Sequence, residues 1–280
     1  MVKVVLSLLL LFSLSIADEL FESQENNLTQ KIKSFLDKGV YERNEEFINI
    51  VFDPESDYYT NRRVDVVKVV ETLKENGLLN LFYKSPKEIQ LNFITSGSPL
   101  FFVKLMGDTL RNIGYYRYVT TASTLSSSEF TWSINLTSEY ATDPLVLQTE
   151  LNKSGSKVID IDRKSQTEWT YVVDMGGSFL NLVELEDRVE IKLKRSLYAH
   201  WLNVSKIEKL KILSSRRNNW YPYIAYYDAS LHLLKVIKED ERYRKIDLEI
   251  PKEAKYIKIS DLYSLKNVKD ELTLQPSGNR

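Results

Sequence analysis

Few residues of this chain have types and spacings that could do chemistry. Cysteine is absent, which removes disulfides, thiol nucleophiles, zinc–thiolate sites and iron–sulfur clusters. The two histidines, His200 and His232, sit in Tyr-Ala-His-Trp and Leu-His-Leu-Leu, outside any nucleophile elbow or metal-binding helix, and are expected to be structural or surface residues. Neither glycine-rich phosphate-binding motif occurs. Asp53-Pro-Glu-Ser-Asp57 carries oxygen side chains at alternate positions but lacks the central glycine and distal glutamate of a calcium loop, so it reads as a solvated acidic segment. Asp160 and Asp162 would share one strand face about 6–7 Å apart. Paired carboxylates can hydrolyse glycosides, but the polar side of a half-exposed strand explains this pair as well. The reading is a non-enzyme without metal or cofactor.

Binding chemistry is better represented. The densest aromatic cluster is Trp220-Tyr221-Pro-Tyr223, followed by Tyr226 and Tyr227, with Arg216 and Arg217 just before it. Between them lies Asn218-Asn219, a turn-favouring pair that would place the guanidinium groups at a loop tip. Arginine and tryptophan are enriched in binding hot spots, so Arg216, Arg217, Trp220, Tyr221 and Tyr223 form the expected binding group. Aromatic faces of this kind stack on sugars or clasp peptides. Asn-x-Ser/Thr occurs at Asn27, Asn135, Asn152 and Asn203. At Asn27 and Asn152 an acidic residue also stands two positions earlier, so these two resemble the extended acceptor of bacterial N-glycosylation and are the expected glycosylation sites.

The elements that must position these residues show a clear order. Lys3, the apolar run Val4–Leu14 and the small residues Ser15 and Ala17 read as a signal peptide over 1–17, with the mature chain beginning at Asp18. The apolar run is shorter than the roughly 20 residues that span a bilayer, and no later stretch approaches that length. Residues 18–180 carry 17 basic and 24 acidic side chains, a net of −7, whereas residues 181–280 carry 20 and 15, a net of +5. The change falls near Gly176-Gly177-Ser178 and marks a domain boundary there. The whole chain is nearly neutral, with a net charge of −1, so no nucleic-acid partner is expected.

Residues 61–176 contain a degenerate repeat. Leu73-x-x-x-Gly77, Leu110-x-x-x-Gly114 and Leu151-x-x-x-Gly155 each end a helical pattern on a glycine suited to a left-handed cap. Ser98-Pro99 and Asp143-Pro144 start two of those helices alike. Each glycine precedes two strand-like runs: Leu78–Tyr83 with Glu88–Phe93, Tyr115–Thr121 with Phe130–Leu136, and Lys157–Asp162 with Glu168–Asp174. In the fourth of these Phe130, Trp132, Ile134 and Leu136 share one face. A further strand, Phe47–Phe52, is expected within an N-terminal segment 18–60 that begins with a helix. Residues 179–280 alternate in short strands from Val189 to Ile259 with polar turns between, which predicts a β-sandwich. The fold class is therefore α+β: an N-terminal antiparallel α-β-β repeat domain followed by an all-β sandwich.

In element order the repeat resembles small α+β modules of periplasmic secretion, pilus and flagellar assemblies, and the C-terminal part resembles carbohydrate-binding jelly rolls in layout. The functional expectation is an exported periplasmic, non-catalytic interaction or scaffold protein. It would be an accessory of an envelope-spanning assembly, with envelope protein partners. The alternative is a glycan- or peptidoglycan-binding protein acting through the sandwich.

Overall fold

The computed structural model describes residues 28–280; the expected signal peptide 1–17 and the sequon at Asn27 lie outside them. The chain is α+β, with helices and both antiparallel and mixed sheets. It separates into two compact units, the first reaching Phe179 and the second covering Leu180–Arg280.

The first unit opens with helix α1 (28–35) and α2 (Val40–Val51). The expected strand Phe47–Phe52 is thus part of a helix. Tyr41 and Ile48 are its buried residues, two turns apart, while Phe47 and Ile50 stay exposed. The short alternation of Phe47, Ile48 and Ile50 mimicked period two, but the acidic and polar residues before it favour a helix with one apolar stripe.

A two-strand ribbon, β1 (Tyr59–Thr60) and β2 (Arg63–Val64), leads to α3 (Val66–Glu75), whose first turn is capped by the Asp65 carboxylate accepting from the Lys68 N–H. Then follow β3 (Phe82–Thr95), α4 (Pro99–Asn112), β4 (Val119–Leu125), β5 (Phe130–Tyr140), α5 (Pro144–Asn152), β6 (Lys157–Arg163) and β7 (Glu168–Asp174). Gly77, Gly114 and Gly155 follow the three helices at positive φ, as C-terminal caps require.

Two features differ from the expected pattern. The runs Leu78–Tyr83 and Glu88–Phe93 do not form two strands. From Phe82 onward they belong to the single strand β3, whose register slips between Phe82 and Lys87 around Pro86. The sheet, ordered β4-β5-β3-β7-β6, is also not purely antiparallel, because β3 and β7 run parallel, with Leu91 opposite Trp169 and Phe93 opposite Tyr171. One face of the sheet is buried by Phe130, Trp132, Ile134 and Leu136 of β5, Leu91 and Phe93 of β3, and Trp169 and Tyr171 of β7. The aromatic rings meet there: Phe93 lies 5.7 Å from Tyr171 and 5.9 Å from Trp132.

The second unit contains eight strands: β8 (Ile191–Leu193), β9 (His200–Asn203), β10 (Lys209–Ser214), β11 (Pro222–Tyr227), β12 (Leu233–Lys238), β13 (Lys245–Glu249), β14 (Tyr256–Asp261) and β15 (Leu272–Ser277). They form two four-stranded antiparallel sheets, β13-β10-β15-β8 and β12-β11-β14-β9. Leu210, Ile212, Leu248, Leu272 and Leu274 from the first share one buried cluster with Leu202, Ile224, Tyr226, Ile257 and Ile259 from the second. In β10 and β13 alternate residues, Leu210 and Ile212 and then Ile246 and Leu248, turn toward this core.

Candidate functional site

The loop before β11 does not present the expected binding group to solvent as a unit. Trp220 is completely buried, and its Nε1–H donates to the Ser260 carbonyl at 2.8 Å. With its one polar atom satisfied, the indole joins the apolar core instead of facing a ligand. Asn218 is buried too and is not a turn tip. Its Nδ2 donates to the Glu271 carbonyl at 2.9 Å and its Oδ1 accepts from the Asp270 N–H at 2.8 Å. Arg216 and Arg217 are exposed on this loop. Arg217 donates from Nε and Nη2 to Asp270 Oδ2 at 3.1 and 3.0 Å. Bonds from Ser215 and Arg217 hold the Asp270 carboxyl below its ordinary pKa. Tyr221 is half-buried, edge-on to Tyr263 at 5.0 Å, and its backbone N–H donates to the Asp261 carboxylate. The five predicted binding residues therefore do not converge.

Tyr223 belongs to a different constellation. In β11, Ile224 and Tyr226 face the core, so Tyr223, Ala225 and Tyr227 lie on the other face, where Ala225 is itself buried. The register places Lys238 of β12 opposite Tyr223, Lys258 of β14 opposite Ala225, and Trp201 of β9 opposite Lys258. The outer face of this sheet thus carries a row of aromatic rings interleaved with lysines. Trp201 and Tyr227 have ring centroids 4.9 Å apart at an interplanar angle of 33°. The Lys258 ammonium lies 5.7 Å from the Trp201 ring and 5.9 Å from the Tyr223 ring, and the Lys238 ammonium lies 5.7 Å from the Tyr223 ring. Trp201, Tyr223, Tyr227 and Lys258 are half-buried and Lys238 is exposed. Burial, and to a lesser degree Tyr223, pushes the Tyr227 hydroxyl pKa up, so it stays a neutral donor at physiological pH.

This arrangement can stack sugar or other flat apolar faces on its rings and bind an anionic substituent with its ammonium groups. Sequence reasoning reached Tyr223 through the aromatic cluster. It missed Trp201, Lys238 and Lys258, which come from three other strands and meet only through the sheet register. A lone tryptophan beside a histidine was the available signal.

The remaining candidates lie outside this face or make local contacts. Asp160 accepts an ion pair from Lys31 at 2.6 Å, and Lys31 also donates to the Ile161 carbonyl, tying α1 to β6. His232 Nδ1 lies 2.9 Å from Asp228 Oδ2 at an exposed turn. Burial pushes the His200 pKa down. Among the described residues no group of three metal-ligating side chains occurs, and no helix is long and apolar enough to cross a membrane. Asn152 is exposed as the last residue of α5, where its Oδ1 accepts from Gln148. It also lines an open cavity of about 750 Å³ together with Thr60, Asp65, Lys68 and Asp174. No protein-family model matches the chain, and no curated protein matches it significantly.

Proposed function

We propose that this is an exported, non-catalytic binding protein of the bacterial envelope. In this reading Leu180–Arg280 is a β-sandwich of the carbohydrate-binding kind and the first unit is a module built on a helix–strand repeat. The ligand is an anionic glycan such as peptidoglycan, bound on the outer face of the β12-β11-β14-β9 sheet. The observation that supports it is the placement of Trp201, Tyr223 and Tyr227 on one sheet face with Lys258 between Trp201 and Tyr223 and Lys238 flanking Tyr223. A protein core does not need lysine between its aromatic rings, whereas a sugar carrying a carboxylate fits both groups. The net charge of +5 on residues 181–280 acts in the same direction.

The test is binding of soluble peptidoglycan fragments by calorimetry, comparing wild type with Trp201→Ala and with the double variant Lys238→Ala/Lys258→Ala. Wild type binds, the tryptophan variant loses most of the affinity, and the lysine variant loses discrimination between anionic and neutral fragments. Unaltered binding by folded versions of both variants overturns the reading. The role as an accessory of an envelope-spanning assembly follows from the same location and is examined by crosslinking in cells.

A further inference from the structure

The five-stranded sheet of the first unit ends on β4, and this edge is unlike the others. Every residue of β4, Val119 to Leu125, is exposed, and the strand reads Val-Thr-Thr-Ala-Ser-Thr-Leu, without a charge or a proline. A bare strand edge is a template for pairing, and proteins ordinarily block it with charges, brevity or cover. The opposite edge, β6, has such blocks: it carries Lys157, Asp160, Asp162 and Arg163, and Lys31 takes its Ile161 carbonyl. In the second unit β13 carries Lys245, Asp247 and Glu249, β12 carries Lys235 and Lys238, and β8 and β9 are short. Among the described sheets β4 is the long edge left neutral and open.

We propose that β4 pairs antiparallel with β4 of a second copy of this chain, about a two-fold axis at Ser123. The faces of the strand are compatible with this register. Leu125 pairs with Phe130 and Ser123 with Trp132, so both lie on the helix-covered face, while Thr124 and Ala122 pair with Thr131 and Ser133 on the open face. The register slips between Thr120 and Ala122, which leaves Thr121 as the extra residue and puts it on the same side as Thr120, opposite Ile134. Centring the axis on Ser123 sets Thr124 against the partner copy's Ala122 on the open face, and Leu125 against its Thr121 on the helix-covered face. Both faces match, and the opposed residues are small, hydroxylic or aliphatic.

The charges that flank the strand agree. Arg117 precedes it and Glu129 follows the hairpin turn, whose Ser126 N–H donates to the Glu129 carbonyl. Both are exposed. An antiparallel pair brings each Arg117 toward the Glu129 of the other copy, whereas a parallel pair would set like charges together. The occupant that fits is therefore the same strand reversed, and the assembly is an isologous dimer with one sheet running through both copies.

The absence of cysteine makes the test clean. A Ser123→Cys variant places two thiols on the axis, at a Cα separation of about 4.5–5.5 Å that suits a disulfide. Diamide then oxidises the two thiols to one disulfide. Ala229→Cys, at an exposed turn of the second unit, serves as the control. Sedimentation of the full-length mature protein across a concentration series is expected to show a reversible monomer–dimer equilibrium. The Ser123→Cys protein is expected to crosslink at least about tenfold faster than Ala229→Cys. Arg117→Glu should weaken dimerisation about tenfold or more, and adding Glu129→Arg should restore it. A wild type that stays monomeric, or a Ser123→Cys protein that crosslinks no faster than the control, overturns the proposal. A charge swap that fails to restore the dimer overturns the antiparallel register.

Discussion

At the scale of single residues, two tryptophans of the second unit separate stability from binding. Trp220 is wholly enclosed and hydrogen-bonded, so Trp220→Ala should cost about 3–5 kcal/mol of stability. Trp201 lies half-buried on the outer face, so Trp201→Ala should abolish most glycan binding with a much smaller fall in melting temperature. Thermal melts paired with calorimetry on both variants check this. If Trp201→Ala unfolds the protein as Trp220→Ala does, the outer-face aromatic row is packing and not a binding surface. Tyr226 offers an independent check of the core. It has no exposed surface, and its hydroxyl finds no hydrogen-bond partner among the described residues. Burial holds that hydroxyl neutral, with its pKa pushed well up. An unsatisfied buried polar atom costs about 1–3 kcal/mol. Tyr226→Phe should therefore raise stability by about 1 kcal/mol, read as a higher denaturant midpoint at unchanged slope.

At the scale of elements, Arg163 adds a second polar clip to the one Lys31 makes between α1 and the edge of the first unit's sheet. Arg163 of β6 is nearly buried, donates from Nη1 to the Phe35 carbonyl and from Nη2 to Asp37, both at 2.8 Å, and stands over the Trp169 ring. Phe35 stacks on Trp169 at 6.3 Å beneath it. Arg163→Ala should cost about 1–3 kcal/mol and open the 28–37 amides to hydrogen exchange ahead of the sheet. Protection in α1 equal to that of wild type would refute the clip. Asp37 makes it pH-sensitive. Burial raises its pKa, but hydrogen bonds from Gln166 and Arg163 outweigh that and leave it below the ordinary 3.8. A carboxyl depressed in the folded state contributes stability that is present above its unfolded value and is lost as pH falls through the folded one. Acidification below pH 3.8 should thus destabilise wild type more than Asp37→Asn, which melts over a range of pH would show.

Elements were legible in the sequence where period and punctuation agreed. β5, β7, β11 and the three glycine-ended helices satisfy both. α2 was misread because Phe47, Ile48 and Ile50 alternate over too short a window to tell the two periods apart. β9 is only four residues, and β15 carries Pro276, so neither resembles a strand until its partners are known. Parallel pairing of β3 with β7 joins residues nearly eighty positions apart, as with Leu91 and Trp169, and no local pattern encodes it. The candidate face has the same limit. Tyr223 stands in a visible aromatic run, but its neighbours Lys238, Lys258 and Trp201 are assembled by register alone.

At the scale of the whole molecule, each unit has its own sheet system and its own buried cluster, and the chain divides between Phe179 and Leu180. The charge divides at nearly the same place, −7 over 18–180 and +5 over 181–280. A ligand that is anionic gains from the second unit and is repelled by the first. If the outer face of the β12-β11-β14-β9 sheet is the whole of the glycan site, a fragment covering 180–280 should melt cooperatively and bind peptidoglycan fragments at least as tightly as the intact mature chain. The electrostatic share should also be visible in salt. Raising ionic strength shortens the range of the lysine attraction toward a few Å, so affinity should fall with added salt for wild type and much less for Lys238→Ala/Lys258→Ala. The aromatic share should persist, because stacking is insensitive to screening. A fragment that folds but binds at least about tenfold more weakly than the intact chain would show that residues of the first unit complete the site.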